Sequence, residues 1–238
     1  MVTFAEALAP LAAFAVVFQT AIYALVPHRL RSRLAPLITG FFGAAAVLAA
    51  GYLLGFDEIG LTGGSPRLAL IAAVTTALLA SFAGTLILRR EDWCSELVDQ
   101  RVADLSLLEA GFDIFVRIPV FTALVEEAFF RGVLHAVLIA LYPASIAFWA
   151  GSLLFGLWHV GPALDQARAN GAISARRVAH VAGTVVATTI AGAVLIWLRE
   201  LTGSIWAPVA VHAVLNMTAA VYSRLAAQPR RVLLGVEA

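Results

Sequence analysis

A small set of ionisable side chains stands where the chain is otherwise almost free of charge. Glu126, Glu127, Arg131 and His135 fall within VEEAFFRGVLHAVLIAL, His159 within LLFGLWHVG, and His212 with Asn216 within APVAVHAVLNMTAA. Burying an ionisable group in hydrocarbon costs roughly 2.5–3.5 kcal/mol on insertion scales, so each such residue needs a partner or a task. A carboxylate and an imidazole converging on a water can act as a general base. A second imidazole and an amide can donate hydrogen bonds to a developing oxyanion, and removing one such donor costs about 10²–10³ in rate in known hydrolases. Glu126, His159, His212 and Asn216 therefore suffice for amide hydrolysis without a covalent intermediate. No serine or cysteine is placed with a base on the same grounds. Two imidazoles and a carboxylate can also hold zinc with an open fourth position. Metal-free hydrolysis is preferred, with zinc on Glu126, His159 and His212 kept open, since the chain has no HExxH helix.

Helical spacing sorts these groups. Glu127 and Arg131 are four apart with the acid first, the favourable order for an intrahelical ion pair. His135 continues that face. Glu126 is rotated by about 100° from Glu127, so one acid is neutralised in place and the other is left over. His212 and Asn216 are also four apart and share a face. At ~1.5 Å of rise per residue, Glu126 and His212 reach the same depth of a ~30 Å hydrocarbon layer from opposite sides. On the same arithmetic His159 comes out up to ~10 Å nearer the cytoplasmic face, where Glu126's helix starts. His135 and His180 are expected to be packing histidines.

The elements that must carry these residues follow from composition. Of 238 residues 61% are hydrophobic and 13% charged, against about 25% charged for an ordinary soluble domain. Mean hydropathy is +0.91. A water-soluble globule cannot be covered by so few polar groups. The expected fold is all-α, a polytopic transmembrane bundle of about seven spans, near residues 3–26, 35–56, 67–88, 114–141, 144–162, 178–198 and 204–223. The first stretch carries Glu6 and lacks a basic leader region and a small-residue cleavage site, so it reads as a retained span. Gly40, Ala44, Gly51 and Gly55 lie near one face of the second, which predicts close helix packing. Residues 89–111 form the longest polar stretch. Trp93, Leu97, Val102, Leu105 and Leu108 recur there at a spacing that suits an amphipathic interfacial helix.

All basic residues are arginine. In a seven-span arrangement Arg29, Arg31, Arg33, Arg89, Arg90, Arg101, Arg168, Arg176, Arg177, Arg224, Arg230 and Arg231 fall on one side. Only Arg67 and Arg199 fall on the other. The positive-inside rule then puts the N-terminus outside and the C-terminus in the cytoplasm, in a bacterial inner or plasma membrane. Cys94 lies on the reducing side as a free thiol. A net charge of +1 gives nucleic acid no support as a partner. The expected partners are the lipid bilayer and a membrane-associated peptide or protein substrate.

Three motifs, in order, carry a family resemblance. EEAFFR at Glu126–Arg131 is similar to an EExxxR motif, FGLWH at Phe155–His159 to FxxxH, and HAVLN at His212–Asn216 to HxxxN. Together they resemble the CPBP family of intramembrane proteases, which includes CAAX prenyl proteases and bacteriocin-processing or immunity-type (Abi-type) membrane proteins. The resemblance covers about residues 117–224. It divides one integral membrane domain, 1–238, into N-terminal spans with the cytoplasmic segment (1–111) and a CPBP-like catalytic half (112–224). It implies an endopeptidase of glutamate type, although many members are labelled metalloproteases. Carried over, Glu126 and His159 would activate water, and His212 and Asn216 would hold the oxyanion. Glu127 and Arg131 would support the site, and Phe155 would pack one turn from His159. The expected reaction is hydrolysis of a peptide bond in a membrane-associated or lipidated protein. Two rival readings remain open: a proton-coupled transporter, because buried Glu, His and Arg also build proton relays, and a non-catalytic peptide-binding or immunity protein.

Overall fold

The computed structural model describes residue 17 and residues 28–233. Every regular element among them is helical. We label the long helices α1 (His28–Leu54), α2 (Pro66–Leu88), α3 (107–141), α4 (Ala144–Trp158), α5 (Val160–Ala169), α6 (Ser174–Thr202) and α7 (Trp206–Leu233). Local chemistry sets several boundaries. Ser65 accepts a hydrogen bond from the Leu68 amide and Pro66 opens α2, the expected start signals. Ser106 and Glu109 form a reciprocal capping box at the start of α3. Gly203, at φ 67°, ends α6 in the left-handed region, where a glycine meets no steric cost.

Pro66–Leu88, Ala144–Ala169 and Ser174–Thr202 are long and apolar enough to cross a membrane, and Gly40–Leu54 is a shorter apolar stretch. The expected count of seven spans is not reached on this criterion. The expected span at 3–26 lies outside the described residues, Val17 apart. In α7 the polar side chains of His212 and Asn216 themselves lower the hydropathy, so the feature that makes the helix interesting also weakens its membrane signal.

α3 is not a regular α-helix. Asp113–Leu124 and Ala128–Leu134 are wound as π-helix, and the α-helical turn Val125–Glu127 lies between them. Pro119 sits inside the first wide segment. Proline supplies no amide hydrogen and its ring crowds the preceding turn, so a wider backbone path is a natural accommodation there.

The expected single amphipathic helix over 89–111 is replaced by short turns, Glu91–Cys94, Ser95–Leu97 and Gln100–Ala103, leading into α3. Val98 and Ala103 are buried against Ala226 and Ala227 of α7. The apolar spacing therefore serves a cap on one end of the bundle, while Trp93 and Leu108 stay exposed. Cys94 is a free cysteine, half-buried in the same cap. At the other end Ile59, in the loop between α1 and α2, is fully buried. A side chain at Gly132 would meet the Ile59 carbonyl at 2.9 Å.

The small-residue face of α1 is only partly a packing face. Gly40 and Gly43 admit Phe121 and Val125 of α3. Gly51 instead accommodates Phe56 from its own following loop, Gly55 takes φ 104° at the helix end, and Ala44 is exposed. Within the core between the helices Phe130 meets Phe155 and Trp158 edge-to-face, with ring centroids at 5.1 and 5.4 Å.

Candidate active site

The core leads directly to the charged residues. Glu127 and Arg131 have fully buried side chains and form the expected ion pair, Arg131 Nη1 donating to Glu127 Oε1 at 3.0 Å. A second guanidinium nitrogen, Nη2, donates to the Gly192 carbonyl of α6 at 3.2 Å. The guanidinium also lies over the Phe155 ring, 4.0 Å from its centroid, a favourable cation–π geometry. An uncompensated charge at this depth would cost several kcal/mol. Here a carboxylate, a carbonyl and an aromatic face share it.

Glu127 has a further partner. His212 Nδ1 lies 2.7 Å from the same oxygen, Glu127 Oε1. The same oxygen accepts from Arg131, so the hydrogen of the second contact belongs to the imidazole and Nδ1–H donates. The opposite ring nitrogen, Nε2, stands 4.0 Å from Glu126 Oε2. The imidazole thus bridges the two glutamates. The expected meeting of Glu126 with His212 is present, but the direct hydrogen bond belongs to Glu127. Glu126 does not point away from the site: its carboxylate lies beside the ring nitrogen opposite the one that Glu127 holds. Glu126 Oε2 is buried and without a hydrogen-bond partner among the described residues.

His159 occupies the junction of α4 and α5, where its backbone at φ −84° and ψ −1° breaks the α-helical path. Its Nδ1 lies 2.8 Å from the Phe155 carbonyl. A carbonyl only accepts, so Nδ1 carries the hydrogen and a neutral ring keeps a lone pair on Nε2. Its charged neighbours include Glu126, His212 and Arg131. Both imidazoles stand edge-on to Phe155, with centroids at 4.7 Å for His159 and 5.7 Å for His212. Asn216 lies one turn beyond His212 on α7 and is partly buried. His135 is separate: its Nε2 faces Glu200 Oε1 of α6 at 3.7 Å.

The structure thus brings Glu126, Glu127, Arg131, Phe155, His159 and His212 together. The spacing of the sequence did not indicate the Gly192 carbonyl, since any residue offers one. It also did not indicate that Phe155 touches Arg131 and both histidines at once. The zinc alternative fits poorly. Two metal bonds of ~2.1 Å would have to span 4.0 Å between Glu126 Oε2 and His212 Nε2, an angle much wider than tetrahedral. Among the described residues no three His, Cys, Asp or Glu side chains are grouped as a metal ion requires.

No curated protein and no solved structure matches the chain. Residues 110–218, from the start of α3 into α7, match the family model described as Type II CAAX prenyl endopeptidase Rce1-like, and all three motifs lie within that stretch.

Proposed function

We propose that the chain is an intramembrane endopeptidase that hydrolyses a peptide bond of a membrane-associated or lipidated protein with a water activated by Glu126 and His159. The observation that carries the reading is the division of labour at one imidazole. Glu127 is occupied by Arg131 and by His212 Nδ1, which leaves the second carboxylate, Glu126, unpartnered beside His212 Nε2. An orienting acid, an imidazole and a free carboxylate are the parts of a general-base site.

In this reading Glu126 takes a proton from water as the oxygen attacks the carbonyl carbon. The lone pair on His159 Nε2 holds the second hydrogen of that water. His212 can donate from Nε2 only as imidazolium, because Nδ1–H is committed to Glu127. With Glu126 and Glu127 ionised and Arg131 charged, a protonated His212 makes the group of four electrically neutral. The tetrahedral oxyanion is then held by His212 Nε2–H and the Asn216 amide. Glu126 returns its proton to the amine nitrogen as the C–N bond breaks. No metal takes part.

The test is cleavage of a library of lipidated and transmembrane peptides by the purified chain in detergent, beside Glu126→Gln and His159→Ala. General-base loss predicts a fall of about 10²–10⁴ in kcat for each, with folding intact. Equal processing by the variants sinks the proposal. Full activity after exhaustive chelation is expected, and activity restored only by zinc overturns the metal-free mechanism.

A further inference from the structure

The proposed catalytic groups sit on two walls that do not pack along each other. His159 ends α4 and begins α5, while His212 and Asn216 lie on α7. α4 and α5 pack along α6, while α7 packs along α2 and α3 and also meets α6. Between α4 and α7 the ring contact of Phe155 with His212 is the contact described. The two walls are thus joined through α6 and at that ring, and on the cap side a further element ties α5 to α7.

The cap segment 98–105 supplies that element. On one side it grips α5 and the residue after it: Arg101 Nη1 donates to the Pro162 carbonyl at 3.2 Å, Asn170 Nδ2 to the Val98 carbonyl at 2.7 Å, and the Gln100 amide to Asn170 Oδ1 at 3.1 Å. On the other side it grips α7. The Asp99 amide donates to Ser223 Oγ at 2.8 Å, and Arg224 Nη1 donates to the Val102 and Leu105 carbonyls at 3.1 and 2.7 Å. Pro162 is three residues from His159. The segment is stiff in itself, because Asp99 caps the Arg101 amide and pairs with its guanidinium. It is also seated in the core through Val98 and Ala103.

We propose that segment 98–105 is a brace that sets the distance between the His159 wall and the His212 wall, with Asn170 and Ser223 as positioning residues. The consequence for catalysis rests on the endopeptidase reading; the mechanical claim does not. Reacting groups must be held to a fraction of an ångström, and a misplacement of ~1 Å made far from the chemistry can cost about 10²-fold. A brace therefore acts on turnover and not on substrate affinity.

Two measurements test it. In a Cys94→Ser background, spin labels at Arg168→Cys and Val221→Cys, both exposed positions, report the α5–α7 distance by pulsed electron resonance. Asn170→Ala with Ser223→Ala should broaden and lengthen that distribution, and Asn170→Asp, which keeps one of its two bonds, should do so partially. An unchanged distribution overturns the brace. On a cleaved substrate, the double variant should lose ~10-fold or more in kcat with KM within about twofold, while Gln100→Ala, which leaves its backbone bond in place, keeps both. A loss confined to KM overturns the positioning role. If no substrate is cleaved even by the unaltered chain, the endopeptidase reading fails, and the distance measurement alone decides the brace. Should the double variant not fold, Asn170→Asp carries the distance test.

Discussion

At the scale of single residues the site turns on one carboxylate. Glu127 holds Arg131 on one side and His212 on the other, so replacing it has two separable effects. Breaking a buried pair by removing one partner costs about 3–5 kcal/mol, because the remaining charge is stranded. Glu127→Gln and Arg131→Met should each lower thermal stability in detergent by that order, and the double variant should lose clearly less than the two combined. Additive losses would mean that the pair is not coupled. The second effect is on turnover. In the Ser-His-Asp triad, changing the orienting Asp to Asn costs about 10⁴ in kcat, and a loss on the order of 10²–10⁴ is expected for Glu127→Gln by the same loss of imidazole orientation. The residues themselves were legible in the sequence, because charge is scarce and each stranded group stands out. Their wiring was not: the sequence spacing assigned His212 to Glu126, whereas the hydrogen bond goes to Glu127.

At the scale of elements α3 carries both glutamates in one short α-helical turn, and the His212 ring reaches both. Two π-helical stretches enclose the glutamates, and no residue pattern in DIFVRIPVFTAL or AFFRGVL announces them, apart from Pro119. A helical wheel gives the direction of a side chain but not which of two neighbouring carboxylates a ring from another helix will hydrogen-bond. The 89–111 segment failed for another reason. Its apolar spacing was real, but spacing does not say whether lipid or Ala226 and Ala227 cover the face. The crossing of α4 and α6 shows what spacing cannot carry at all. A Cβ at Gly156 would run into Thr189 Oγ1 and lie 2.8 Å from the Val185 carbonyl. The same crossing presents the Gly192 carbonyl to Arg131 and the Phe155 ring to both histidines. Gly156→Ala should therefore spread the helices, with a stability loss of about 1–3 kcal/mol typical of overpacking and a drop in kcat. Gly183→Ala, on the same helix pair but with open space around it, should change neither. Equal behaviour of the two variants in thermal unfolding and turnover would remove the claim that this crossing sets the site.

At the scale of the whole molecule the arginine distribution and the fold make a joint statement about orientation. The basic side of the chain includes Arg101 and Arg224, which fasten the cap at one end of the bundle. Arg199, on the sparse side, reaches the Glu58 carbonyl in the loop at the other end. The two ends are thus chemically distinct in both sequence and structure. The rule that positive residues are retained in the cytoplasm predicts that the cap with its brace faces the cytoplasm and that the Gly55–Gly64 loop faces outward. Single cysteines in a Cys94→Ser background decide the matter. Trp93→Cys on the cap and Asp57→Cys on the loop both replace exposed residues. A membrane-impermeant maleimide should label position 57 and not 93 in right-side-out vesicles, and position 93 and not 57 in inverted ones. The reverse pattern would turn the molecule over. Labelling of both positions from one side would mean that the loop and the cap do not lie at opposite faces of the bilayer, and the argument from arginine bias would fall with it.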